Sequence, residues 1–175
     1  MIKLELLDVF RTRGKSYKVE PSLPLKSYDR TGVEYEVVDI SPIRLEFTNI
    51  DIGKVSVKGS FEIELLIPCD RCLKNVSNKI NCEVENELLS DEVRVDDDDA
   101  EELSYLHGYE FDVLEFVSLS VLMNMPSKVL CREDCKGLCP VCGSDLNEHD
   151  CGCDSFVPDP RMARIADIFN ASKEV

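Results

Sequence analysis

Histidine is scarce in this chain, with only His107 and His149 present. A catalytic zinc usually recruits histidine or a carboxylate, keeps one position open for water and needs a general base beside it, so two isolated histidines argue against that design. A glycine-rich phosphate loop and a nucleophile signature are also missing. No apolar run approaches the roughly 20 residues that a membrane helix needs. The longest, Val113 to Met125, is interrupted by Glu115, Ser118, Ser120 and Asn124 and stops at Pro126. No secretory signal is expected at Met1-Ile2-Lys3-Leu4-Glu5-Leu6, which together with an odd number of cysteines suits a reducing cytoplasm. Basic residues are scarce in one half only: residues 81–175 hold 7 Lys and Arg against 23 Asp and Glu, whereas residues 1–80 hold 13 against 12. Phosphate neutralisation needs clustered Lys and Arg, so the acidic half is a poor non-specific nucleic-acid binder. A basic protein suits it better as a partner.

Thiols, by contrast, are plentiful. Of the nine cysteines, eight fall into four close pairs: Cys69/Cys72, Cys131/Cys135, Cys139/Cys142 and Cys151/Cys153. Two cysteines two to four residues apart reach one tetrahedral ion from a tight turn, so four pairs make two four-thiolate sites, each expected to hold Zn2+. The favoured grouping joins Cys139, Cys142, Cys151 and Cys153 locally, and joins Cys69 and Cys72 to Cys131 and Cys135 across the chain. Cys69/Cys72 with Cys139/Cys142 is the other grouping that spacing allows. Iron in a rubredoxin-like site also suits Cys139-Pro140-Val141-Cys142-Gly143. Cys82 lies in register with Ile80 and Val84 on the apolar side of an alternating segment, where a buried structural cysteine is expected.

The first half reads as β structure. From Lys54 to Ile67, Val55, Val57, Phe61, Ile63, Leu65 and Ile67 share one face, with Gly59 as the one gap in it. Val76, Ile80, Cys82, Val84 and Leu88 alternate in the same way, so the Cys69/Cys72 pair caps a hairpin. Ile43, Leu45 and Phe47 alternate before them. The phase changes near Asn49, which predicts a bulge or strand end before a turn at Asp51 to Gly53. Met1 to Val9 is expected as a further strand, and Pro21 to Asp29 as a loop.

The fold class is α+β: an antiparallel sheet or partly closed barrel, one core helix, a Cys-rich segment and a short last helix. Asp112 with Glu115 forms a capping-box-like start for the core helix, 112–125. Asp96-Asp97-Asp98-Asp99-Ala100-Glu101-Glu102 predicts a solvated acidic loop within 90–104. Asp159-Pro160 starts the last helix, with Met162, Ile165, Ala166 and Phe169 as its apolar stripe. These elements divide into a β-rich domain over 1–127 and a metal-binding segment over 128–175, expected to pack as one. The densest basic stretch holds Arg11, Arg13, Lys15, Tyr17 and Lys18, the candidate residues for direct RNA contact.

The pair in Cys69-Asp70-Arg71-Cys72-Leu73, the run from Cys131 through Cys135 and Cys139-Pro140-Val141-Cys142-Gly143, the following Asp145-Leu146-Asn147 and the terminal Asp159-Pro160-Arg161-Met162-Ala163 resemble the YceD family, the large ribosomal RNA subunit accumulation proteins. The order of β-rich half, acidic loop, helix, cysteine run and last helix matches as well. The resemblance implies a non-enzymatic role in the synthesis, processing or stability of 23S ribosomal RNA, and hence in large-subunit assembly. The cysteines of the hairpin pair, Cys69 and Cys72, and of the long run, Cys131, Cys135, Cys139 and Cys142, carry over to the family pattern, and no catalytic residue does. Beside it stands a physical hypothesis, that the acidic half holds a basic ribosomal protein through complementary charge. A zinc-dependent enzyme, with His149 replacing one thiolate, and a rubredoxin-like electron carrier are the readings from other classes.

Overall fold

The computed structural model describes residues 2–30, 32–90, 93 and 103–153. The expected acidic run Asp96 to Glu102 and the last helix lie outside the described residues. Two units emerge, one of residues 1–68 and 75–129, the other of residues 69–74 and 130–175. In chain order the described elements are β1 (Lys3–Glu5), α1 (Leu7–Arg11), β2 (Ser16–Val19), β3 (Ser27–Arg30), β4 (Val33–Ile40), β5 (Arg44–Asp51), β6 (Lys54–Pro68), β7 (Asn75–Leu89), β8 (Leu106–His107), β9 (Glu110–Asp112) and α2 (Val113–Asn124). All belong to the first unit.

Period-two alternation makes β6 the axis of this unit. Its apolar positions from Val55 to Ile67 are all buried, while Lys58 and Glu62 between them are exposed. One edge of β6 pairs antiparallel with β7 along the whole strand, from Lys54↔Leu89 to Pro68↔Asn75. The other edge is shared end to end, by β5 over Lys54 to Ser60 and by β4 over Ile63 to Leu66. β2 extends the sheet from β5 and β3 extends it from β4. The result is an open antiparallel sheet, since among the described residues no pairing joins β7 to β2 or β3. A second sheet, in the order β1-β9-β8, has three short strands.

Several expectations need correction. Met1 to Val9 is a strand only at Lys3–Glu5, and Leu7–Arg11 turns into a short helix. Leu6, Val9 and Phe10 recur at spacings of three and four, so one helical turn buries all three. The loop expected from Pro21 to Asp29 ends early, because Ser27–Arg30 pairs with β4. There Tyr28 is buried beside Tyr35 and its hydroxyl donates to the Ser118 carbonyl at 3.2 Å. The bulge near Asn49 is present between Asn49 and Asp51. The burial phase, however, runs on through Asn49, leaving Ile50 and Ile52 exposed. Asn49 holds that interior position because its amide donates to the carbonyls of Val9 and Phe10 at 2.9 and 3.0 Å, satisfying the end of α1.

The core helix α2 is capped as expected, with the Asp112 carboxylate accepting from the backbone of Leu114 at 2.9 Å and Glu115 at 3.2 Å. Its inner face buries Val113, Phe116, Val117, Ser120 and Val121, while Met123 faces solvent. Phe116 joins Tyr105 and Phe111, each with ring centroids 5.3 Å away, and Phe111 meets Phe47 of β5 at 5.0 Å. This aromatic cluster packs the helix and the small sheet onto the large one.

The gap at Gly59 in the β6 alternation is where Phe116 enters the sheet. A Cβ on Gly59 would lie 2.5 Å from Phe116 Cζ and 2.8 Å from Cε1. Alanine is ordinarily better than glycine inside a strand. Here the sign reverses: Gly59→Ala is expected to destabilise by about 1–3 kcal/mol, the usual penalty of overpacking. Urea unfolding checks it, and a neutral or stabilising result contradicts the packing described.

Candidate metal centres

The second unit contains all eight paired cysteines, which its described residues carry on four short segments. In the first turn the Cys69 N–H donates to the Lys74 carbonyl and the Leu73 N–H to the Cys69 carbonyl, both at 2.9 Å. In the third turn the Cys139 N–H donates to the Ser144 carbonyl at 2.8 Å and the Gly143 N–H to the Cys139 carbonyl at 2.9 Å. The two turns therefore repeat one backbone pattern, seventy residues apart in the numbering. Each places its fifth residue in the left-handed region, Leu73 at φ 61° and Gly143 at φ 75°. In both, the N–H of the sixth residue, Lys74 or Ser144, points at the second thiol of its pair. Backbone donors aimed at sulfur stabilise thiolate over thiol, which is the form a metal binds.

The fourfold groupings follow from this geometry. The sulfurs of Cys69, Cys72, Cys131 and Cys135 lie within 4.8 Å of one another, and so do those of Cys139, Cys142, Cys151 and Cys153. These are the groups that sequence spacing favoured. A tetrahedral ion with sulfurs at about 2.3 Å sets neighbouring sulfurs about 3.8 Å apart. Cys69 and Cys135 are 3.9 Å apart, and Cys72 and Cys131 3.5 Å. Both separations are far longer than a disulfide bond of about 2 Å, and none of the nine cysteines is joined in a disulfide. Both donor sets thus fit a thiophilic ion. Neither histidine belongs to either group. His107 faces Glu115 at 3.4 Å in the first unit, and the His149 N–H donates to the Asp145 carbonyl at 3.4 Å.

Within each group the protons are unequally held. Burial pushes the Cys69 thiol up, but the N–H groups of Cys72, Arg71 and Cys131 outweigh it and bring it down to about 6. The Ser144 hydroxyl and N–H bring Cys142 down to about 6 as well. Cys131 is raised to about 12, chiefly by the Cys135 sulfur beside it, and Cys153 to about 12 by Cys142. Once some sulfurs are ionised their neighbours resist ionising, because a second negative charge close by is disfavoured. A divalent cation removes that resistance and draws all four as thiolates.

Side chains around the first group fix its turns. The Arg71 guanidinium donates to the Cys135 carbonyl, and the Leu138 N–H donates back to the Arg71 carbonyl at 3.1 Å. Asn147 is a hub: its side-chain oxygen accepts from the Lys136 N–H and from Arg132, both at 2.8 Å. Its amide nitrogen lies 3.5 Å from the Cys135 sulfur and 2.7 Å from Asp145 Oδ1. Asp145 in turn pairs with Lys74 at 2.9 Å. Lys74 and the Asn147 N–H hold the Asp145 carboxyl at about 2, so it stays ionised wherever thiolates can exist. Arg71, Lys74 and Asn147 escaped notice as functional residues when read singly. The signal was the repeated Cys-x-x-Cys spacing, which marks the residue two places beyond each pair as a sulfur donor.

The residues singled out for RNA contact lie on α1, on β2 and in the turn between them. Lys15 meets Asp8 at 3.6 Å and Lys18 meets Glu46 at 2.9 Å, while Tyr17 stacks on Phe47 at 6.1 Å. Arg11 ends α1 and Arg13 sits in the turn after it, and neither has an ion pair among the described residues.

The turns yield a ranking. Gly143 has φ +75° and open space around a would-be Cβ, so Gly143→Ala costs only the left-handed backbone penalty, about 1–2 kcal/mol. Gly137 has φ +79° and a Cβ there would meet the Arg71 carbonyl oxygen at 2.8 Å. Gly137→Ala adds a clash worth about 1–3 kcal/mol and is expected to release metal to a chelator more readily than Gly143→Ala. Equal release from the two variants contradicts this.

Comparison with known proteins places these centres. Residues 57–169 match the family described as "Large ribosomal RNA subunit accumulation protein YceD", a segment that includes every paired cysteine. Uncharacterized proteins of Mycobacterium tuberculosis and Mycobacterium bovis are 25% identical to this chain over 150 residues, covering 83% of it and 71% of their own length. No solved structure matches the chain. With well over half of its residues inside the match, the chain belongs to the YceD family of large ribosomal RNA subunit accumulation proteins.

Proposed function

We propose that this protein is a non-enzymatic, cytoplasmic ribosome-biogenesis factor that supports the synthesis, processing or stability of 23S ribosomal RNA during large-subunit assembly, with one zinc in each thiol group. The observation that carries the reading is the family match over residues 57–169, whose description names accumulation of large-subunit ribosomal RNA. The chemistry of the two centres agrees with it. Four thiolates fill a tetrahedral shell and leave zinc no position for a substrate or an activated water, so the metal's task is to hold the turns. That no described helix is long and apolar enough to cross a membrane is compatible with the same reading.

Charge supports a basic ribosomal protein as the partner. The chain carries 35 Asp and Glu against 20 Lys and Arg. On β7 the exposed positions Glu83, Glu85 and Glu87 form a row, of which, among the described residues, Glu85 alone is offset, by Lys58 at 2.8 Å. Such a surface attracts and screens a lysine- and arginine-rich chain before it reaches RNA.

Depleting the protein in cells that carry it is expected to lower 23S relative to 16S ribosomal RNA. Re-expression of the intact chain is expected to restore the ratio, and the Cys69→Ser, Cys72→Ser double variant is not. An unchanged ratio on depletion overturns the reading.

A further inference from the structure

A cavity of about 460 Å³ opens in the first unit beside the end of α1. Its buried walls include Phe10, Asn49 and Ser90; half-buried Tyr109 and exposed Ile52, Arg11 and Arg13 are also among its described lining residues. The volume lies in the range of small-ligand sites, about 300–1,000 Å³. Two features set it apart from an ordinary surface hollow. Arg11 and Arg13 line it and have no ion pair among the described residues, while the neighbouring Lys15 and Lys18 each meet a carboxylate. And the Asn49 side-chain oxygen is buried without a hydrogen-bond partner among the described residues. A buried unpaired acceptor costs about 1–3 kcal/mol, and its residue lies in the cavity wall.

The apolar lining is equally specific in kind. Phe10 and Tyr109 meet edge to face with centroids 5.4 Å apart. Ile52 is 81% exposed at the turn between β5 and β6 and lines the cavity, so its side chain is open to an apolar ligand there. Two guanidiniums with no ion pair among the described residues, beside an aromatic ring and an exposed isoleucine, match the two halves of a nucleotide, phosphate and base. Duplex RNA keeps its bases stacked and cannot offer one to such a cavity, whereas a single strand can.

We propose that this cavity binds one unstacked nucleotide of single-stranded RNA, with its phosphate on Arg11 and Arg13 and its base against Tyr109 and Ile52. The proposal rests on the ribosomal RNA reading and goes beyond the family match, which begins at residue 57 and so omits both arginines, Asn49 and Ile52. It also narrows the basic stretch: Tyr17 and Lys18, on β2, do not line the cavity.

The test is fluorescence anisotropy of a labelled single-stranded oligoribonucleotide with the full chain, over a salt series. Arg11→Ala with Arg13→Ala is expected to lower the slope of log affinity against log salt by about 1.4, two contacts at about 0.7 each. Ile52→Asp, at an exposed turn that cannot unfold the core, and Tyr109→Leu are each expected to weaken binding about tenfold, the size of one lost stacking contact. Lys18→Glu is expected to change neither slope nor affinity. Duplex RNA is expected to bind far more weakly than the single strand.

Unchanged binding by the double-arginine variant overturns the proposal, and so does a Lys18→Glu effect as large as the arginine effect. Competition by inorganic pyrophosphate as strong as that of the oligonucleotide, with Ile52→Asp silent, reduces the cavity to an anion site and also overturns it. These outcomes are separate from the depletion experiment: a normal 23S level without the protein sinks the ribosomal RNA reading, while RNA binding that ignores the cavity variants sinks the cavity alone.

Discussion

Four sulfurs within 4.8 Å of each other, twice over, form the constraint on which the second unit depends. Thiols alone do not hold such a cluster, since their ionised forms repel and their neutral forms hydrogen-bond weakly. A metal ion turns that repulsion into attraction. Structural zinc sites bind with about 10–16 kcal/mol, which is folding free energy when no preformed site exists in the unfolded chain. The first group also closes a loop from Cys72 to Cys131, and restraining a loop of about 60 residues removes about 4 kcal/mol of unfolded-chain entropy by the cross-link relation. The second group closes a local loop only, so its contribution is confined to the turns it holds. Its thiols are also more open: Cys142 is exposed and Cys151 and Cys153 half-buried, whereas Cys131 alone is exposed in the first group.

Much of this was legible because ligand chemistry imposes spacing on sequence. Pairs two to four residues apart declare themselves, and the groups found in the structure are those that local spacing favoured. The strand pair β6–β7 was legible for a similar reason, since a half-buried sheet forces alternation on both strands. What escaped is what depends on distant contacts. Nothing near Gly59 in the sequence announces that Phe116 fills the space above it. Asn49 looked like a change of phase because a polar residue stood where the burial pattern needed an apolar one, and only the carbonyls of Val9 and Phe10 explain it. Leu6, Val9 and Phe10 form a single helical turn too short for a period to show, and β8 and β9 are shorter than any alternation can reveal. In the first turn Leu73 adopts the conformation that Gly143 supplies in the third, so the likeness of the two turns lies in the backbone and not in the residue type.

The chain thus separates two kinds of chemistry. Cysteines, backbone donors and the Asp145–Asn147 network belong to the second unit and serve to keep turns in place. Arginines and a buried acceptor without partners among the described residues, with an exposed isoleucine, belong to the first, at a cavity whose arginines lie outside the segment shared with the family. A filled thiolate shell is inert toward substrates, so on the reading proposed here recognition falls to surfaces: the acidic row on β7 toward a basic protein, and the cavity toward a single strand. The two histidines and the lack of a nucleophile signature fit that proposal.

The most direct test of the account is elemental analysis of the chain purified without added metal, set against the protein concentration. Close to two zinc ions per chain in a colourless protein, falling to one in a Cys139→Ser, Cys142→Ser variant, is the result predicted. Less than one ion per chain, with the eight paired cysteines joined as disulfides or freely titrating, would contradict the claim that metal ions hold the second unit together.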